Sequence, residues 1–323
     1  MNIELLEFQY IQTEGKDMDY IIASVAVTDE IHFFNNTGIE QSAGGAGIYA
    51  MSGIKIWNDN VRLVTGVGND YMDKYGEWYR KNNLSMEGLI VKDEKTPHTI
   101  IEYFEDGERK ETSLYGDSHF RNIEVTPEEL APYFNTAKGI YIFKNADLEF
   151  WRKVLQIHKC SKAKLMWEIS SDSATFEKRS EVQDIAENLD IFSINKTEAF
   201  HLLHVNTIQD AIDEFKTWNT PLIFFRLGQE GAYMIAGQDA VLAESVKNLK
   251  VMDTTGGGNS SSGAVLYGYC ENKNLRTIGL MGSISAAICI SQYGVPEVID
   301  RELRQKAESV LIEMTKSRGD HDA

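Results

Sequence analysis

Four short segments of this 323-residue chain combine residue types that can do chemistry. The densest is Asp253-Thr-Thr-Gly-Gly-Gly-Asn259-Ser-Ser-Ser-Gly263. Three consecutive glycines, Gly256, Gly257 and Gly258, let a backbone close on a ligand. At a helix start their N–H groups converge into an anion hole suited to a phosphate in transfer. The plain alternative is a glycine-rich turn that Asn259 merely caps. A second segment, Ala43-Gly44-Gly45-Ala46-Gly47-Ile48-Tyr49-Ala50, contains a G-x-G-x-x-A spacing. A dinucleotide site needs a strand directly before that spacing, and the residues from Asn35 to Ser42 are polar and turn-like, so the context fails. No P-loop pattern occurs.

The third segment, Asn195-Lys196-Thr197-Glu198, follows the apolar run Asp190–Ile194. Glu198, one turn into a helix, can hold a water on Mg²⁺, which takes few carboxylates. It can equally serve its own helix N-terminus. The fourth, Arg226-Leu227-Gly228-Gln-Glu-Gly231, is a strand end turning through two glycines. Arg226 can meet a phosphate there or stand as a solvated charge. Asp29, after the first apolar run, can accept hydrogen bonds from substrate hydroxyls. His201 and His204 share a helical face without a carboxylate motif beside them, which disfavours a metal site. The five Trp are scattered and read as core, not as a stacking platform.

Positioning these groups falls to alternating elements. Short apolar runs at Tyr20–Val27, Val61–Gly66, Gly139–Phe143, Leu165–Ile169, Asp190–Ile194 and Leu222–Leu227 read as buried parallel strands. Amphipathic stretches at Gly47–Ile56, Tyr71–Asn83, Leu148–Cys160, Val182–Leu189, Lys196–Leu203 and Ile208–Trp218 read as the helices between them. The pattern predicts an α/β fold with helices on both faces of the sheet. A Gly-rich turn opens a helix near Asn259, and Leu275–Tyr293 and Arg301–Lys316 follow as helices. Residues Thr96–Ser113 break the alternation with a hairpin about Asp106-Gly107. Joined by Ile31–Phe34 and Leu89–Val91, it predicts a small separate sheet with one face free to cover something.

Composition bounds the function. Hydrophobic residues are 42% and charged residues 25%, as in ordinary globular chains. A net charge of −17 and a pI near 4.9 disfavour a nucleic-acid partner, and any anionic substrate must be held by local groups. The three cysteines are widely spaced and read as reduced thiols. With no signal-like start and no run of eighteen apolar residues, the expectation is a cytoplasmic chain with no membrane partner.

These segments, in this order, resemble the ribokinase-like (PfkB) family of carbohydrate and nucleoside kinases, over nearly the whole chain from about Asp19 to Ile299. The match includes Val27-Thr-Asp29-Glu-Ile, Gly44-Gly45, Gly66-Val-Gly68-Asn-Asp70, Asn195-x-x-Glu198, Leu227-Gly228 with Gly231, and the block Asp253–Gly263. The resemblance implies a three-layer α/β/α sandwich with a small β-sheet lid. Residues 1–18 then form an N-terminal extension and 19–323 the kinase domain, with lid strands from about 31–42 and 89–115. It implies transfer of the ATP γ-phosphoryl group to a hydroxyl of a sugar-like or nucleoside-like substrate. Asp29, Gly44, Gly45 and Tyr49 fall at the substrate. Gly256, Gly257 and Gly258 fall at the anion hole. Asn195, Arg226, Gly228 and Gly231 fall at the nucleotide, and Glu198 at Mg²⁺ through water. Asp253 and Thr255 fall where some members bind a monovalent cation such as K⁺.

Two positions depart from the family pattern. Its Gly-Ala-Gly-Asp ends in the catalytic base, whereas this chain reads Gly256-Gly-Gly-Asn259, and a carboxamide cannot take a proton. Phosphoryl transfer rests mostly on positioning and electrostatics, so activity can be reduced without being lost. The alternative is a non-catalytic carbohydrate- or nucleotide-binding protein derived from such a kinase. Tyr49 stands where many members carry Asn; the tyrosine narrows the pocket, stacks on a ring, or is equally an ordinary core residue. Exposed edge strands on the lid favour a homodimer that pairs two lids.

Overall fold

The computed structural model describes residues 18–33, 38–105 and 109–316. The expected N-terminal extension, Phe34 and the Asp106-Gly107 turn lie outside the described residues, apart from Met18.

The first half begins with strands β1 (Tyr20–Ala23), β2 (Val27–His32) and β3 (Ile39–Gly44), then helix α1 (Ala46–Lys55). It continues with β4 (Val61–Gly68), α2 (Tyr71–Lys81), β5 (Leu89–Asp93), β6 (His98–Tyr103) and β7 (Arg109–Ser113). Two short helices, α3 (Asp117–Ile123) and α4 (Pro127–Leu130), lead into β8 (Gly139–Lys144) and α5 (Leu148–His158). The second half runs β9 (Lys164–Ile169), α6 (Arg179–Ala186), β10 (Ile191–Asn195), α7 (Lys196–Leu203), α8 (Ile208–Phe215) and β11 (Leu222–Arg226). A hairpin of β12 (Ala232–Ala236) and β13 (Asp239–Ala243) precedes α9 (Gly257–Cys270), α10 (Leu275–Ile290) and α11 (Arg301–Lys316).

Among the described residues, nine strands form the main sheet in the order β13-β12-β11-β10-β9-β8-β1-β4-β5. From β11 to β5 the pairings are parallel, and β12 and β13 close one edge antiparallel. One face packs on α5 to α8 through Trp151, Trp167, Phe192, Phe215 and Phe225. The other packs on α1, α2, α9 and α10 through Ile22, Ile48, Tyr79, Val265 and Leu266. Helices on both faces bury the parallel strands on both sides, which is why those strands read as continuous apolar runs.

The second sheet, β3-β2-β6-β7, is separate. Three sequence expectations change here. The end of the stretch read as turn-like is β3, a strand directly before Gly45, but it pairs antiparallel with β2 in the small sheet and opens no parallel βαβ unit, so the dinucleotide context still fails. The first run is two elements: β1 ends at Ala23, and Asp29 lies inside β2 of the small sheet. Leu89–Val91 belongs to the main sheet, where β5 pairs parallel with β4 and forms its edge. A five-residue strand gives no signal of which sheet it joins. Thr65 N bonding Gly88 O, and Leu89 opposite Thr65, settle that choice. No described helix is long and apolar enough to cross a membrane.

The cysteines differ sharply in environment. Cys160 is exposed, whereas burial pushes the thiols of Cys270 and Cys289 up to about 12. Thiolate is the reactive form. At pH 8 a thiol reagent is therefore expected to titrate one cysteine of the native protein quickly and the other two only after denaturation. Rapid labelling of Cys289 in the native state would contradict this environment.

Candidate active site

The first turn of α1 meets the start of α9 through Tyr49, whose ring lies on Gly256, and further along the two helices pack directly on each other. A Cβ on Gly53 would overlap the carbonyl of Ser260, and one on Gly263 would overlap the carbonyl of Ala50. The helices thus touch backbone to backbone, and their N-termini are held in a fixed relation.

At the start of α9, Gly256 has φ +74 in the left-handed region, which glycine adopts without strain. A Cβ there would also collide with the ring of Tyr49, which is 2% exposed. Tyr49 bridges two parts of the site: its ring lies on Gly256, and its hydroxyl donates to Asp29 Oδ2 at 3.5 Å. Burial, then the nearby Asp29 carboxylate, pushes this phenol up, so it remains a protonated donor. Asp29 sits against Gly44, where any Cβ would overlap its carboxylate, and Gly45 caps α1 with φ +91. Asp29, Gly44, Gly45 and Tyr49 are therefore one cluster joined to the glycine loop.

The loop is also tied to the small sheet. Asp253 accepts from Thr255 N at 2.8 Å and Thr255 Oγ1 at 2.7 Å, an Asx-type turn that shapes the approach to Gly256. Tyr103 of β6 donates its hydroxyl to the same oxygen of Asp253.

On the other side of Gly256–Asn259 stands a charged group that the sequence reading only half identified. Arg226, the last residue of β11, lies against the α9 N-terminus so closely that a Cβ on Gly258 would overlap its Nη1. That nitrogen pairs with Glu168 Oε1 at 2.9 Å, and Nη2 lies 3.9 Å from Glu198 Oε2. Glu168 is 2% exposed and also accepts from Asn259 Nδ2 at 3.1 Å and Tyr141 OH at 2.8 Å. Asn259 donates to Tyr141 OH as well, at 3.3 Å. Burial, then the Glu168 carboxylate, pushes the Tyr141 phenol up and keeps it a donor.

Asn195 caps α7: its Oδ1 accepts from Glu198 N, and Glu198 Oε2 accepts from Asn195 N, both at 2.9 Å. Burial raises the Glu198 carboxyl from its usual range, against the pull of Arg226. Gly228 and Gly231, with φ +62 and +97, shape the turn from β11 to β12; Gly231 is pressed against the carbonyl of Ala243.

Glu168, Tyr141 and Tyr103 were missed from sequence. One signal was available for Glu168: it is the lone carboxylate in the buried strand Lys164–Ile169. A buried charge is paired or costly, so a carboxylate at that position implies a cation partner. Tyr141 and Tyr103 gave none, since a tyrosine in a strand is ordinary core.

The chain matches the family model described as pfkB family carbohydrate kinase over residues 15–301. It is 24% identical to the cytidine kinase of Thermococcus kodakarensis, over 78% of this chain and 87% of that protein. It is 22% identical to the 5-dehydro-2-deoxygluconokinase of Bacillus licheniformis, over 90% and 95% respectively. Its fold superposes on the crystal structure of adenosine kinase from Sinorhizobium meliloti with a TM-score of 0.76. That alignment covers 91% of this chain and 99% of that one at 18% identity.

Proposed function

Since the chain belongs to the pfkB family of carbohydrate kinases, we propose that it transfers the γ-phosphoryl group of ATP to a hydroxyl of a small sugar-like or nucleoside-like acceptor. One observation carries the reading: the helix N-terminus at Gly256–Asn259 lies between an arginine on one side and the Asp29–Tyr49 cluster on the other.

Asp29 holds the acceptor hydroxyls, with Gly44 and Gly45 leaving room for them. Tyr49 limits the acceptor's bulk beside Gly256. The N–H group of Gly258 faces the developing charge on the phosphoryl group, where preorganised donors contribute most, and that of Gly257 joins it on leaving the Thr254 carbonyl it bonds at 3.4 Å. Arg226 adds a guanidinium at the same point, its charge shared with the Glu168 carboxylate. Asn195 and Glu198 bound the phosphate side. Both contacts of Glu198 described above run through Oε2, so Oε1 suits a water on Mg²⁺. Mg²⁺ when bound neutralises phosphate charge. The Asp253–Thr255 turn is the candidate monovalent-cation position. The small sheet serves as a lid, with Tyr103 as the latch onto Asp253.

No carboxylate stands at residue 259 to accept the hydroxyl proton. A positioned base contributes typically ~10²–10⁴ in rate, so slow turnover is the expected signature. The second reading, a binding protein without turnover, rests on that same amide.

The test is acceptor-dependent ADP release with Mg·ATP across sugars, polyols and nucleosides. Turnover is expected on one acceptor class, falling about 10²-fold or more in Asp29→Asn because the acceptor loses its anchor. ATP binding without turnover on any acceptor would favour the binding protein. No ATP binding at all would end the kinase reading.

A further inference from the structure

The amide at residue 259 is engaged, and what engages it explains why it is an amide. Glu168 receives three donors: Arg226 Nη1 at 2.9 Å, Asn259 Nδ2 at 3.1 Å and Tyr141 OH at 2.8 Å. Its carboxylate is enclosed by β8, β11 and α9. The like charge that faces this cluster is Glu198 on α7, whose Oε2 lies 3.9 Å from Arg226 Nη2. A buried carboxylate persists only when its oxygens are paired, and Asn259 supplies one of the donors.

An aspartate in place of Asn259 would reverse that contact. Two carboxylates would face each other at about the hydrogen-bonding distance, and like charges so close cannot both ionise without a large penalty. An ionised base at this position and an ionised Glu168 would therefore compete for a single arginine.

We propose that Asn259 is a positioning residue. It locks the Glu168–Arg226 ion pair so that a fixed guanidinium lies on the Gly258 backbone and meets the terminal phosphate, and proton acceptance at this position has been exchanged for that cation. This extends the kinase reading, and the part concerning phosphate rests on it. The lock itself does not.

Two measurements test the two parts separately. The first is a double-mutant cycle in the unfolding constant, without ligand, for Asn259→Asp, Glu168→Gln and the pair. Asn259→Asp alone is expected to raise the unfolding constant on the order of 10²-fold at pH 7.5, an effect that shrinks toward pH 5 as a carboxyl protonates. In the Glu168→Gln background the sign reverses: the introduced carboxylate then becomes the closest partner of Arg226, and the unfolding constant falls. Additive effects in the cycle would overturn the lock.

The second is the ratio of Kd for ADP to Kd for ATP, which isolates the terminal phosphate. Glu168→Gln and Arg226→Gln are expected to bring it toward one, and Arg226→Lys to retain part of it. A ratio unchanged in Arg226→Gln would overturn the phosphate role. If wild type binds neither nucleotide, the kinase reading falls, the phosphate role falls with it, and the cycle alone decides the lock.

Discussion

Replacing Arg226 by methionine is expected to lower the free energy of unfolding by about 3–5 kcal/mol, the range for removing one partner of a buried pair. Glu168 would stay 2% exposed with its cation gone. Asn259 and Tyr141 would still donate, but two neutral donors do not replace a guanidinium at 2.9 Å. Methionine is long and apolar, so the loss reflects the stranded charge more than a cavity. Adding Glu168→Leu should recover most of the stability, because replacing a whole buried pair with apolar side chains is often neutral. The same double variant should show no acceptor-dependent turnover. Trp167, adjacent to Glu168 and fully buried, gives a fluorescence signal for urea titrations of all three proteins. A loss below about 1 kcal/mol in Arg226→Met would mean that the pair is solvated.

The second large effect concerns geometry and not charge. Gly53→Ala lies in the last turn of α1, where propensity alone still favours alanine, by up to about 1 kcal/mol. The expected sign is the opposite. The new methyl would overlap the Ser260 carbonyl, a backbone atom of a buried helix that cannot rotate away. Overpacking of this kind costs about 1–3 kcal/mol. Separating α1 from α9 also shifts the Asp29–Gly44 cluster relative to Gly256–Asn259. A misplacement of about 1 Å between reacting groups can cost on the order of 10² in rate. A thermal melt and an acceptor-dependent assay on one preparation check both. A Gly53→Ala protein that melts higher than wild type and turns over normally would show that the helices are not rigidly coupled.

These two residues also mark the limit of what reading the chain can reach. Arg226 was identifiable because it ends an apolar strand before a glycine turn, yet its partner was not. Glu168 lies 58 positions away in sequence on a strand that is not sequential with β11. Gly53 and Gly263 carried no local signal, since a helical glycine is noticed only when the opposing backbone is seen.

Local patterning determined the α/β alternation, the glycine loop before α9 and the Asn195–Glu198 cap. Each is written within a few residues: apolar runs bury strands, glycines permit φ +74 at Gly256, and a side chain three positions on closes a capping box. Tertiary structure alone decided what Asn259 contacts, which sheet receives β5, that Asp29 lies in the small sheet, and that Tyr49 spans from Gly256 to Asp29. Those outcomes depend on which surfaces meet when distant segments pack. Burial then forces Glu168 to gather Arg226, Tyr141 and Asn259 from three different elements, a requirement of the folded interior that no short stretch of chain contains.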